Sequence, residues 1–192
     1  MNHNIKTIEK KLNKLEKDLL ETKELLNQTK QTALHQGTFH VFSYFNHSLK
    51  LSKNTGNPNL YIFGSFLIRN IGEQNLNRPY ICLKMNHTKN ISFSGKISPE
   101  DLLDRAFSPL PMQTWYYIDE KAELLAHKKG EYWLQPLQFQ QLPAGQSLSF
   151  ANFMIRLDQT KLDSTFKVEG AVFGDELEEG LPALNKIQVN IS

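Results

Sequence analysis

The chain has 192 residues, of which 40% are hydrophobic, 10% aromatic and 22% charged, enough apolar material for one substantial core. Residues 1–36 hold seven lysines and five acidic residues, and the rest of the chain balances 15 of each sign. This neutral remainder argues against nucleic acid as a partner, because phosphate binding needs a clustered basic face.

The compartment is constrained by the same composition. A single cysteine, Cys82, excludes an intrachain disulfide framework, and its apolar surroundings in sequence predict a buried, inert thiol. No apolar run approaches the length of a membrane span, and the first residues lack the apolar core of a signal peptide. We therefore expect synthesis in the cytoplasm, with assembly into a coat or particle as a possible destination.

Residues 1–36 are predicted to form a long coiled-coil helix. Apolar residues recur at alternating spacings of three and four, and no Gly or Pro interrupts a stretch rich in helix formers. Such a narrow stripe needs a partner, so we expect these residues to mediate oligomerisation. The seam residues are Ile5, Ile8, Leu12, Leu15, Leu19 and Leu26.

The flanking charges allow a parallel homo-oligomer, in which Asp18 faces Lys23 of the neighbour. An antiparallel pair suits the charges as well, and the sequence leaves dimer and trimer open. A single amphipathic helix packed on its own domain, or one lying on a membrane surface, remains an alternative.

Residues 37–192 are predicted to form an antiparallel β-sandwich, immunoglobulin-like or jelly-roll-like. After Gly37 the apolar period changes to two, and turn residues recur at short intervals. Strands do not alternate with long helices, which disfavours a parallel sheet. Strands are expected at 38–45, 60–71, 79–85, 90–97, 113–118, 132–134, 148–157, 166–173 and 185–191.

Three connections between these strands carry signals of their own. Ser98, Pro99 and Asp101 form a helix-start signature, which predicts a short helix over 99–107. Residues 119–131 are expected to be a charged connection. The acidic stretch within 174–182, which holds Asp175 and Glu176, is expected to be a loop that forms a solvated hairpin tip too long for a minimal hairpin, with a basic partner or a cation as the sharper alternative.

One pattern resembles a known family. A long apolar strand ends in Asn70-Ile71-Gly72, a second follows at Pro79-Tyr80-Ile81-Cys82-Leu83, and later comes Leu142-Pro143-Ala144-Gly145-Gln146-Ser147-Leu148-Ser149-Phe150. Over residues 60–157 this is similar to immunoglobulin-like bacterial modules of the CARDB or FxLYD type. The resemblance implies a binding or spacer module without catalysis, and the insertion at 99–130 departs from it.

Two aromatic clusters are the candidate contact surface. Trp115 and Tyr117 lie in the first, and Tyr132 and Trp133 lie in the second. Because neighbouring residues of a strand face opposite sides, some of these rings belong to the core and others to a surface that contacts a peptide or a sugar.

No catalytic residue, metal site or cofactor is predicted. The histidines His35, His40 and His47 lack the spacing and the companions of a metal site, and no nucleophile motif is present. The sequence favours a non-enzymatic structural or interaction protein, oligomerised by the coiled coil and presenting the sandwich as a head for protein contact. A carbohydrate-binding head is the alternative.

Overall fold

The computed structural model describes residues 11, 14–15, 17–24, 38–52, 58–98, 114–158, 160 and 165–190. The chain divides into two compact units, Met1–Thr38 and Phe39–Ser192. The described residues of the first unit up to residue 24 are helical, and residues 17–24 form the longest described run, α1. The remainder of the predicted coiled coil lies outside the described residues, among them Ile5, Ile8, Leu12 and Leu26.

The described leucines of the first unit are exposed. Leu15 and Leu19, two predicted seam residues, are 65% and 58% exposed, and Leu20 is 62% exposed. On the polar side Lys17 and Glu21 form an ion pair of 3.8 Å, one helical turn apart.

The second unit is mainly β, and its named strand pairs are antiparallel, as predicted. In chain order the elements are β1 (Val41–Leu51), β2 (Asn59–Asn70), β3 (Leu76–Asn77), β4 (Tyr80–Met85), β5 (Ile91–Ser94), β6 (Trp115–Tyr117), α2 (Glu120–Lys129), β7 (Glu131–Pro136), β8 (Gln141–Leu142), β9 (Ser147–Asp158), β10 (Phe166–Gly174), β11 (Leu177–Pro182) and β12 (Ile187–Val189).

These strands form two main sheets and a small ribbon. Sheet I has the order β1-β2-β9-β5, and sheet II has the order β11-β10-β4-β7-β6, with β12 added beside β10. The ribbon is β3-β8. The inner faces of the two main sheets meet in one buried core, as in a β-sandwich.

The alternation of apolar residues explains which faces meet. From sheet I, Ile62 and Phe66 are fully buried, and from sheet II, Leu83 and Val172 are fully buried. The sheets approach so closely at Gly170 that an added Cβ would lie 2.5 Å from Cε2 of Phe66. Glycine at this position is therefore a packing requirement.

Most predicted strands coincide with observed ones, and the structure corrects the predictions for three stretches of the chain. Strand β1 continues six residues beyond the predicted end at 45, to Leu51. Residues 60–71 are apolar on both alternations, which is typical of a strand buried on both faces or covered by the helix on one, but Phe63 is an exposed ring on the outer face of sheet I. The stretch 174–182 is a strand hairpin rather than a loop, since β11 pairs with β10 around a turn at Asp175 and Glu176.

The charged connection at 119–131 contains helix α2. Asp119 caps its start by accepting a hydrogen bond from the Ala122 backbone N–H at 2.7 Å, and Gly130 ends it with φ of 70°. Only Ala122 and Ala126 of this helix are buried. It therefore lacks the broad apolar stripe by which helices are recognised in a sequence. The predicted helix at 99–107 lies outside the described residues.

Candidate functional site

The four rings predicted to form a contact surface are divided between three environments. Trp115 is fully buried in the core. Its indole N–H donates to the Ser149 carbonyl at 3.2 Å, and its ring meets Phe150 edge to face at 5.7 Å. The inclusion of Trp115 in a contact surface is therefore wrong, because β6 turns this ring inward.

Tyr117 and Tyr132 are half-buried and line a cleft of about 270 Å³, together with Phe93, His87 and His127. The ring of Tyr132 lies 4.4 Å from that of Phe93, so it partly closes the core. Burial raises the pKa of Tyr117 to about 12 and also raises the pKa of Tyr132. Both phenols are therefore protonated at neutral pH.

Trp133 lies on the opposite side of sheet II from Tyr132, as the alternation of a strand requires. Three strands of the outer face bring rings together there. The Trp133 ring is 5.1 Å from that of Phe173 on β10 and 6.3 Å from that of Tyr80 on β4. Tyr80 and Phe173 stack at 5.1 Å with only 10° between their planes. The result is a rigid aromatic cluster outside the core.

Beside this cluster runs an open groove with a volume of about 620 Å³, which we call the Trp133 groove. Its floor includes Cys82 and Ala171, and its rim includes Pro182 and Leu184. The Leu184 side chain is 73% exposed. The rings of Trp133 and Phe173 also line the groove, and its polar lining side chains are Lys84, Glu169, Asn185 and Lys186.

The rim segment is held in place by strand-like hydrogen bonds. The Ala183 N–H donates to the Gly170 carbonyl, and the Leu184 N–H donates to the Ser43 carbonyl, both at 2.8 Å. The Asn185 side chain then pairs with the Phe45 backbone, accepting from its N–H at 2.7 Å and donating to its carbonyl at 2.9 Å. The segment thus bridges β10 of sheet II and β1 of sheet I.

Charged groups at the rim come from neighbouring strands. Lys84 and Glu131 form an ion pair of 3.1 Å, and the hydrogen bond to Glu131 raises the pKa of Lys84. Glu169 and Lys186 also line the groove. These groups can orient a polar part of a ligand that rests on the rings.

Cys82 does not have the character of a nucleophile. Burial raises the pKa of its thiol to about 12, and the nearby Glu131 charge adds to this effect. Since the thiolate is the reactive form, the protonated thiol contributes to the groove as an apolar surface.

No group of three or more His, Cys, Asp or Glu side chains is placed to hold a metal ion among the residues that the structure describes. His40 is exposed just before β1, and His47 is exposed on β1. His35 lies outside the described residues. In the acidic stretch, Asp175 accepts from the Arg78 guanidinium at 2.8 Å, and Glu176 accepts from the Asn77 backbone N–H at 2.8 Å. These carboxylates therefore join the β10–β11 hairpin to Asn77 of β3 and to Arg78, the residue that follows it.

Phe173 and Leu184 of the groove, and Tyr80 of the adjacent ring cluster, were missed by sequence reasoning. Tyr80 and Phe173 each stand alone on a strand, and only the register of β4 with β10, in which Phe173 is opposite Tyr80, brings them together. A second aromatic surface on the outer face of sheet I was also missed, although the i, i+2 spacing of its rings was a readable signal. That surface contains Phe42, Tyr44, Tyr61 and Phe63.

Comparisons with known proteins identify no family. No protein-family model matches the sequence. No curated protein matches it either. Among solved structures, the FixG-related protein from Vibrio parahaemolyticus aligns with a TM-score of 0.32 and 11% identity, over 76% of this chain and 94% of that one. In the described part of the chain, none of the helices combines the length and apolar character needed to cross a membrane.

Proposed function

We propose that this chain is a non-enzymatic interaction protein whose N-terminal helix gathers copies and whose β-sandwich is a head that contacts a partner protein. The observation that carries the head's role is the Trp133 groove, where stacked rings and an exposed leucine lie outside the core. Trp and Tyr beside an apolar groove are typical of the centres of protein interfaces.

Support for the helix comes from its leucines. Leu15 and Leu19 are both exposed in a helical segment, at positions d and a of the heptad pattern. An apolar stripe of this kind is stabilised when a second helix covers it. Gathered heads would bind a multivalent partner with avidity, because each further contact is intramolecular.

The chemistry of the groove favours an apolar segment of a protein as its occupant. Leucine, proline and the rings of Trp133 and Phe173 offer an apolar surface, while Lys84, which is paired with Glu131, and the charged Glu169 and Lys186 provide polar contacts. This arrangement of an apolar centre and a charged rim is that of a peptide or protein docking site. It accords with the binding or spacer role that the resemblance to CARDB or FxLYD modules implies, and with assembly into a bacterial surface, spore coat or phage particle.

A carbohydrate-binding head is the second candidate. What favours it is that the charged Lys84, Glu169 and Lys186 line the same groove as Trp133, since a sugar needs both a ring to rest on and groups to hydrogen-bond. In this case the ligand would take the same groove, so one pair of variants tests both candidates.

The test is selection of binders on the immobilised full chain, from a displayed random-peptide library and in parallel on a glycan array. Trp133→Ala is the test variant. Phe63→Ala, which removes an exposed ring from the other sheet, is the matched control. We expect enriched peptides that bind the wild type and the control and lose at least tenfold affinity, about 1.4 kcal/mol, for Trp133→Ala.

Each outcome decides between the candidates. Glycan binding that depends on Trp133, without enriched peptides, would make the head a lectin. Binders that are indifferent to Trp133→Ala in a variant that melts like the wild type, or no binders on either library, would overturn the role of the groove.

A further inference from the structure

Strand β1 is an edge strand, and among the described residues no strand pairs with the open side of its second half. It forms one border of sheet I and pairs with β2 in eleven consecutive residue pairs without a shift. Residues 46–51 are all exposed, and they include Leu49 at 51% and Leu51 at 63%. Bulges and prolines, the usual devices that protect an edge, are lacking in this stretch, and Lys50 is its one charge.

The hydrogen bonds of the first half show which backbone groups face the open edge. Ser43 accepts from Leu184 there, and Phe45 pairs with the Asn185 side chain. Because alternate residues of a strand point their N–H and C=O groups to the same side, the groups of His47, Leu49 and Leu51 face this edge too. Among the described residues, none of these backbone groups has a hydrogen-bond partner at the open edge.

The side chains at these positions point toward the core side of the sheet. Leu49 and Leu51 lie opposite Ile62 and Leu60 of β2, which are buried. An added strand at this edge would therefore satisfy the open backbone groups and cover two leucines at once. This combination is what strand addition uses for recognition.

We propose that the half-strand from His47 to Leu51 pairs antiparallel with the same half-strand of a second copy of this chain, about a two-fold axis at Leu49. The register follows from the fold. The Asn185 side chain is already hydrogen-bonded to the backbone N–H and carbonyl of Phe45. The backbone groups available for a new ladder therefore run from His47 to Leu51, and the midpoint of this stretch is Leu49. In that register His47 pairs with Leu51 of the second copy, and the two Leu49 residues face each other.

Charge also fits a second copy. The outer-face neighbours in this register are Ser48 and Lys50 of opposite copies, so the two lysines do not oppose each other. A symmetric pairing of one patch with itself is the usual geometry of a homodimer. The inference rests on the proposed function in one respect, because the N-terminal helices would hold a second copy at high local concentration.

The test is cysteine cross-linking in the full chain with Cys82→Ala as background. In the proposed register the two Leu49 residues form a hydrogen-bonded pair, with Cα atoms about 5.5 Å apart, which a disulfide can span. The matched control is Leu51→Cys, whose Cα would lie about 15 Å from its own counterpart, because four residues at about 3.4 Å each combine with about 5.5 Å between the strands. Under diamide oxidation we expect Leu49→Cys to cross-link several-fold more than Leu51→Cys, although Leu51 is the more exposed residue.

Equal cross-linking of the two variants would mean random collision or another register and would overturn the proposal, as would no cross-linking in either. Should Leu49→Cys fail to melt like the wild type, amide hydrogen exchange of the wild-type segment 46–51 decides. The N–H groups of His47, Leu49 and Leu51 face the open edge, so their protection supports the pairing, and exchange at the unprotected rate refutes it.

Light scattering of the same samples separates this proposal from that of the helix. An oligomer without register-specific cross-linking refutes the β1 pairing alone. A monomer at low concentration that still cross-links at Leu49 when concentrated supports the pairing and refutes the role of the helix. A monomer without specific cross-linking refutes both.

Discussion

Replacing Asn70 with alanine is expected to lower the free energy of unfolding by about 2–3 kcal/mol. Asn70 ends β2 and is 1% exposed. Its side chain donates to the Gln74 carbonyl at 2.7 Å and to the Leu142 carbonyl at 3.1 Å, and it accepts from the Gly72 N–H at 3.1 Å. Each such bond contributes about 1 kcal/mol, and the Gly72 N–H keeps a second acceptor, the His40 carbonyl.

The assay is urea unfolding of the full chain, with Asn75→Ala as control. Asn75 follows in the same turn and also makes side-chain hydrogen bonds, to Gln141 at 3.4 Å and from the Ala144 N–H at 3.1 Å, but these are exposed to water. We expect the control to change stability by less than about 1 kcal/mol, and Asn70→Ala to lower the melting temperature by about 5–10 °C. Equal effects of the two variants would show that burial does not increase the contribution of the Asn70 hydrogen bonds to the free energy of unfolding.

Three further outcomes are expected, each measurable by chemical denaturation. Gly170→Ala should destabilise by about 1–3 kcal/mol, because its Cβ would lie 2.5 Å from Phe66 and 2.8 Å from Phe45. Ser43→Ala should stabilise by about 1 kcal/mol, since the buried Ser43 hydroxyl has no hydrogen-bond partner among the described residues. Stability should fall between about pH 9 and 12, because the unfolded thiol ionises near 9 whereas the folded Cys82 has a pKa of about 12, and Cys82→Val should flatten that fall.

The strands were predictable because a half-buried strand leaves a period of two in the sequence. Ile62, Phe66 and Ile68 of β2 and Leu148 and Phe150 of β9 follow this rule, and all are buried. The end of β1 was not predictable in this way. Its inward positions beyond Phe45 begin with the polar His47, which interrupts the apolar series before Leu49 and Leu51.

Helix α2 and strand β11 were missed for related reasons. A helix that buries only Ala122 and Ala126 has no stripe, although its caps Asp119 and Gly130 were visible. Strand β11 carries Glu178 and Glu179 on an edge, where water can reach acidic side chains and tertiary pairing overrides weak β-propensity.

The candidate site was only partly predictable. The sequence marked Trp133 as a surface candidate, but it also marked Trp115, because alternation does not state which face of a strand is the inner one. The groove needs Trp133 and Phe173, which form a ring cluster with Tyr80, and the meeting of these three rings depends on the register of β4 with β7 and β10. That register is a property of the folded sheet.

The most direct test of the account is the solution mass of the full chain by light scattering, for the wild type and for two neighbouring helix variants. Leu19 and Leu20 are the same residue type with similar exposure, 58% and 62%, but only Leu19 lies on the predicted seam. We expect the wild type to be oligomeric and Leu20→Glu to have the same mass. We expect Leu19→Glu to lose the oligomer. A monomeric wild type, or equal masses for the two variants, would contradict the account.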